Sequence, residues 1–296
     1  MNGTLRAGLK IAVSLGGLAF LFFFFRDRLP AVIRVFKNFD PYCFALAAFF
    51  FLLGFFILTV RLQWILKARQ VRLAGRRLLY FNFIGHFFSL FLPSAIGGDV
   101  IKGYYIYRDS REKVISFTSI FLDRMVGSFG ILTFALAALI YYGKSLNLVP
   151  LRNAVLITFG AALAAFAFFL SRKVARSFRF LAFFSPPRKI ADWLRHAYHH
   201  LNAYKDHKAL LGVIFAVSLA GQAVFITVHY FLARSLKVDL PYLTFFLVIP
   251  VVTALSMAPS INGLGVREAG SVYLFSRFTS TENALALSIA YDGLVY

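Results

Sequence analysis

The sequence predicts an all-α polytopic membrane protein of about 6–8 transmembrane helices, with one or two re-entrant or broken segments. Three observations carry that prediction. Hydrophobic residues make up 60% of the 296 and charged residues 15%, against roughly 45–50% and about 25% in soluble domains. The apolar residues, 37 Phe among them, come in blocks near the ~20 residues that cross a bilayer. Mean hydropathy is +0.74, and the basic residues gather between the blocks.

Each block can be justified in turn. The first, 7–25, starts after Arg6, carries Lys10 near its beginning and stops at Arg26-Asp27-Arg28. It has no small-residue cleavage site and reads as a retained span. The second, 41–60, stops at Arg61. The third, 78–98, carries Asn82, His86 and Pro93 before Gly97-Gly98-Asp99. The fourth, 114–142, holds Asp123 and Arg124 inside it, and the fifth is 153–171. A sixth covers 209–233. The seventh, within 240–265, breaks at Pro259–Gly265, and 284–296 reads as a last helix cut off at Tyr296. Between the fifth and sixth, Ser185-Pro186-Pro187 interrupts the chain. Ile190, Trp193, Leu194, Ala197, Leu201 and Tyr204 then recur at helical spacing opposite Arg188, Lys189, Arg195, His199 and Lys205. That pattern predicts an amphipathic interfacial helix over 188–207.

Charge orients the chain. The stretch Arg61–Arg77 is basic without an acid, and Arg172–Lys208 is strongly basic, so both belong on the cytoplasmic side. Three crossings between them would separate them, so one block must enter and return. The polar third block, 78–98, is the candidate, because irregular backbone at depth is tolerated only where it lines protein or a cavity. The N-terminus is then cytoplasmic, in a cell inner membrane. The formal net charge of +20 would suggest nucleic acid in a soluble chain. Here topology and anionic headgroups account for it, and nucleic acid is excluded as a partner. The single cysteine, Cys43, excludes disulfides and cysteine metal sites.

Two segments echo each other. Residues 93–102 read PSAIGGDVIK and 259–268 read PSINGLGVRE. Paired glycine and proline breaks on opposite sides point to an inverted repeat with a site between the halves. The ionisable residues expected at membrane depth are Asp99, Lys102, Asp123, Arg124, Arg267 and Glu268, each needing a partner or a water-filled cavity. Asp123 and Arg124 are adjacent on one helix and do not face each other, so the glycine breaks are expected to supply their partners. Gly97, Gly98, Gly263 and Gly265 would let backbone N–H groups approach an anionic headgroup at a restarting helix. Arg124 and Arg267 would grip phosphate oxygens bidentately. A charge-balanced structural core is the competing reading. His196, His199, His200 and His207 lack a flanking carboxylate signature and read as a solvated face, not a metal site. No catalytic motif, metal site or cofactor is expected.

The stretches FLPSAIGGDVIKGYYIYR (91–108), FTSIFLDRMVGSFG (117–130) and APSINGLGVREAG (258–270) resemble the three signature regions of the lysylphosphatidylglycerol synthase transmembrane family, also called flippase-like domain proteins. The resemblance runs along nearly the whole chain. It implies a membrane module without the cytoplasmic aminoacyl-transferase domain that some members carry. It also implies site residues Gly97, Gly98, Asp99, Lys102, Asp123, Arg124, Gly263, Gly265, Arg267 and Glu268. The reading is a protein that binds and translocates an anionic phospholipid or polyprenyl-type lipid, its partner being a membrane phospholipid or isoprenoid lipid. A homodimer and a pathway-enzyme partner both stay open. The alternatives are a membrane-embedded glycosyl- or lipid-transferase, with Asp99 or Glu268 as base, and a non-transporting component of a lipid pathway.

Overall fold

The computed structural model of the chain describes residues 29–37, 39–91, 97–142, 149–170, 196, 199–206, 208–256 and 266–295. The 7–25 span, the Pro259–Gly265 break with Gly263 and Gly265, and most of the 188–207 stretch lie outside them. Every regular element among the described residues is helical. In chain order these are α1 (Leu29–Lys37), α2 (Pro41–Lys67), α3 (Gly75–Phe91), α4 (Gly97–Ser110), α5 (Lys113–Tyr142) and α6 (Val149–Leu170). A 3₁₀ turn at Ala203–Asp206 precedes α7 (Lys208–Ser235), α8 (Tyr242–Ser256), α9 (Val266–Phe275) and α10 (Thr281–Val295).

Three of these, Pro41–Lys67, Lys113–Tyr141 and Lys208–Ser235, are long and apolar enough to cross a membrane. Helix α2 shows how such a helix meets lipid. Tyr42, Leu46, Phe49, Leu52 and Phe56 recur three, four and seven residues apart and are all exposed, a stripe that suits a hydrocarbon surround. Its start is capped from outside the helix. Asp40 Oδ1 accepts from the backbone N–H of Tyr42 at 2.9 Å and of Cys43 at 3.4 Å, satisfying donors that a first turn leaves open.

The described residues fall in two compact units. The first lies within Met1–Leu53, Phe87–Gly97 and Ala223–Tyr296. There α8 packs on α9, α9 on α10, and α10 on α1. Phe245 and Phe275 are fully buried and meet with ring centroids 5.4 Å apart. The second lies within Gly54–His86 and Gly98–Gln222. Its core joins Leu62, Leu66, Leu78, Phe81, Ile106 and Ile120, with a second cluster of Ile65, Leu122, Val126, Leu201, Tyr204 and Ile214.

Within the second unit α3 and α4 run antiparallel, side by side. Arg77 meets Asp109 at 3.1 Å, Phe81 stacks on Tyr105 at 5.5 Å, and Gly85 lies against Gly98 and Lys102. The contact at Gly85 is close: a Cβ there would sit 2.9 Å from the Gly98 carbonyl oxygen. The helix expected to restart after Gly97-Gly98 is α4, and it runs on to Ser110. Polar composition masks a helix whose apolar stripe is narrow, Ile106 alone among its large apolar side chains being fully buried.

Helix α2 also outruns its expected end. The apolar count stops it at Arg61, but the helix continues to Lys67. It closes with Gln70 in the left-handed region, φ 61°. The Val71 N–H donates to the Leu66 carbonyl and the Gln70 N–H to the Lys67 carbonyl, which is a Schellman ending without its usual glycine.

Candidate functional site

Arg61 is an interior residue of the second unit. Only 4% of its side chain is exposed, and its Nε donates to Asp123 Oδ1 at 2.7 Å. Its Nη1 donates to Ser218 Oγ at 2.9 Å, and that hydroxyl donates to the Val126 carbonyl at 3.2 Å. Small residues on α5 make the room. A Cβ on Gly127 would come within 3.3 Å of Arg61 Nη1, and one on Gly130 within 2.9 Å of Ser218 Oγ. The expectation that a glycine break partners Asp123 is therefore corrected: α2 supplies the cation. The reason is geometric, since Asp123 lies on the buried side of α5, where it meets Arg61 of α2. The sequence signal was an arginine ending an apolar run, which reads equally well as a stop.

Arg124, one residue on, points elsewhere, as helical geometry requires. Its Nη1 donates to Asp99 Oδ2 at 2.8 Å. Asp99 belongs to the first turn of α4, where a negative charge suits the helix dipole. Its other oxygen faces Lys102 Nζ at 3.6 Å. Lys102 is nearly buried, while 46% of the Arg124 side chain is exposed. Gly98 is buried at the same helix start, beside Gly97. This is one carboxylate held between two cations, one of them facing outward.

In the first unit, Arg267 Nε and Nη2 donate to Glu268 Oε1 at 3.1 and 2.9 Å. Nη2 also donates to Asp292 Oδ1 on α10. The guanidinium carbon lies 5.6 Å from the centre of the Tyr291 ring, which stacks on His229 at 4.0 Å. Asp292 was missed because the apolar run around it reads as an ordinary last helix. The nominated residues thus divide: Asp99, Lys102, Asp123 and Arg124 lie in the second unit, Arg267 and Glu268 in the first.

A third polar group sits where the 3₁₀ turn meets α2. The Tyr204 hydroxyl donates to the Ile65 carbonyl at 3.0 Å and lies 3.3 Å from Ser119 Oγ. Burial pushes the phenol up to about 12. Arg69 Nη2 lies 2.8 Å from His200 Nδ1. Among the described residues no three His, Cys, Asp or Glu are placed to hold a metal ion.

A sequence model described as "Lysylphosphatidylglycerol synthase TM region" matches residues 8–296. Comparison with curated proteins and with solved structures gives no match.

Proposed function

The chain belongs to the family of the lysylphosphatidylglycerol synthase transmembrane region, and from that premise we propose that it binds a lipid by its anionic headgroup and carries it between leaflets. The lipid is an anionic phospholipid or a polyprenyl-type lipid. The observation that carries this reading is the Asp99–Lys102–Arg124 group. A planar guanidinium, half exposed, stands beside the start of a helix whose first residues are glycines. A guanidinium fork and a helix start are both matched to phosphate oxygens. The nearby carboxylate keeps that grip reversible, which a carrier needs and a permanent binder does not. Arg267 offers a second fork in the first unit.

The antiparallel pair α3 and α4 supports reading this stretch as a segment that enters and returns on one side. Both ends of the pair are basic, with Arg76, Arg77, Arg108 and Arg111, and are assigned to the cytoplasmic side. A transferase using Asp99 as general base is disfavoured, because both carboxylate oxygens already face cations.

The test is charge-preserving. Arg124→Lys and Arg267→Lys keep the balance but lose the planar fork. Proteoliposomes carrying fluorescent phosphatidylglycerol report movement between leaflets by dithionite quenching. The expected result is folded protein in which Arg124→Lys moves the lipid roughly tenfold more slowly, the size of one lost bidentate contact. If both lysine variants move it at the parent rate, the headgroup reading is wrong and the ion pairs are structural.

A further inference from the structure

Residues 199–206 are fastened to the rest of the second unit at two points of different character. The inner point is Tyr204, fully buried beside Leu201 in the cluster of Ile65, Leu122 and Val126. Its hydroxyl ties the end of α2 to α5. The Arg69 N–H donates to the Leu66 carbonyl, three residues back, and the phenol donates to the Ile65 carbonyl, an acceptor of the kind a helix end leaves open. Ser119 Oγ of α5 lies 3.3 Å from the same hydroxyl.

The outer point depends on a proton. Arg69 Nη2 lies 2.8 Å from His200 Nδ1. A guanidinium has donors only, so Nδ1 must accept and carries no hydrogen. The contact therefore requires a neutral imidazole with its hydrogen on Nε2. Protonation puts two cations face to face. Among the described residues the Arg69 guanidinium meets this imidazole and the Tyr204 ring, at 5.9 Å, and its buried Nε has no acceptor. Docking thus leaves unsatisfied a donor that release would hydrate.

We propose that residues 199–206 are a proton-released latch: with His200 neutral they hold the end of α2 to α5, and protonation of His200 frees them. The groups acting on the imidazole come from each side. Arg69 of α2 and the neighbouring His196 and His199 oppose its charge, and Glu112 of the α4–α5 connection favours it. Glu112 is exposed, so solvent screens its help. Lys67, Lys113 and Lys208, on α2, α5 and α7, are exposed as well. Burial first, then the Arg69 guanidinium, holds the docked imidazole below its ordinary 6.5. The freed one titrates near that value, so acid drives the equilibrium toward release. The device puts pH sensing at the polar end of the unit, outside the Asp99–Lys102–Arg124 group.

Hydrogen exchange of the full chain in detergent, read by mass spectrometry and corrected for the intrinsic effect of pH, tests the latch. Between about pH 7.5 and 5.5 the opening of 199–206 in the parent should rise roughly three- to tenfold, the range open to one histidine titrating near 6.5. The 117–126 stretch of α5 should stay protected. His200→Gln, which accepts from Arg69 at any pH, should flatten the response. Arg69→Gln, which removes the facing cation, should shrink it, and His196→Gln and His199→Gln should keep most of it. A parent segment that ignores pH overturns the latch. So does an equal rise in 117–126, which would mean general unfolding. A full response in folded His200→Gln, or one lost in His196→Gln or His199→Gln, overturns His200 as the trigger. If His200→Gln does not fold, Arg69→Gln decides: a shrunken response supports the latch, and an undiminished one overturns it.

Discussion

An arginine at the end of an apolar run has two fates in a bilayer: its head reaches the headgroups, or it is consumed inside the protein. Arg61 takes the second, enclosed by Asp123, Ser218 and the space left by Gly127. Removing one partner strands the other, so Arg61→Met should destabilise the protein by about 3–5 kcal/mol. Adding Asp123→Leu should recover most of that loss, because no charge is then stranded. Thermal unfolding in detergent checks both, and a double variant as unstable as the single one would contradict the pairing. His200 behaves differently because it lies at the polar end. Burial first, then the Arg69 guanidinium, with His196 and His199 adding to it and Glu112 opposing, holds its imidazole below the ordinary 6.5. The folded protein thus resists a proton that the unfolded chain accepts. Stability from this contact is full above that value and is lost as pH falls below it. Between about pH 7.5 and 5.5 the parent should lose more Tm than His200→Gln does, and equal losses would show that the contact is not the sensor.

Helices pack closely where side chains are small, and Gly85 is such a point between α3 and α4. Glycine to alanine inside a helix normally stabilises by up to about 1 kcal/mol. At Gly85 the sign should reverse, because the new Cβ would meet the backbone oxygen of Gly98 at 2.9 Å and backbone yields little. Gly85→Ala is expected to cost roughly 1–3 kcal/mol, and Gly212→Ala, with nothing within 4 Å, to be neutral or stabilising. Comparing their Tm values tests the packing directly. Elements were legible in the sequence where apolar length alone decides, as in α5 and α7, whose ends fall within two residues of expectation. They were less legible where polarity misleads. Helix α4 is rich in charge, so its start after the glycines is legible but its length is not, and α2 outruns its apolar count because an ion pair buries Arg61. Of the candidate site, the pairing of Asp99 with Arg124 was legible, since membrane cost alone nominates both. Arg61 and Asp292 were not legible, because one looked like a boundary and the other sat in an apolar run.

For the molecule as a whole, the basic stretches predict which ends face which side. Arg72 lies in the α2–α3 connection and Arg108 near the end of α4, and the Arg77–Asp109 contact brings those two regions together. Single cysteines at these positions in a Cys43→Ser background should therefore behave alike, both protected from an impermeant reagent in intact cells and both labelled once the cells are permeabilised. Labelling of Arg108→Cys from outside while Arg72→Cys stays protected would overturn the return of the α3–α4 segment. The left-handed helix ends carry a further consequence. Gln70, Arg111 and Lys237 occupy backbone positions, φ 61°, 62° and 57°, where glycine is at ease and a side chain costs about 1–2 kcal/mol. During synthesis the chain is oriented by its flanking basic residues before any of this packing exists. Glycine at 111 would relax the finished fold and at the same time erase a charge that the insertion machinery reads. Arg111→Gly should therefore give a more heat-stable protein and fewer correctly threaded copies of it, read by Tm in detergent and by cysteine labelling in cells.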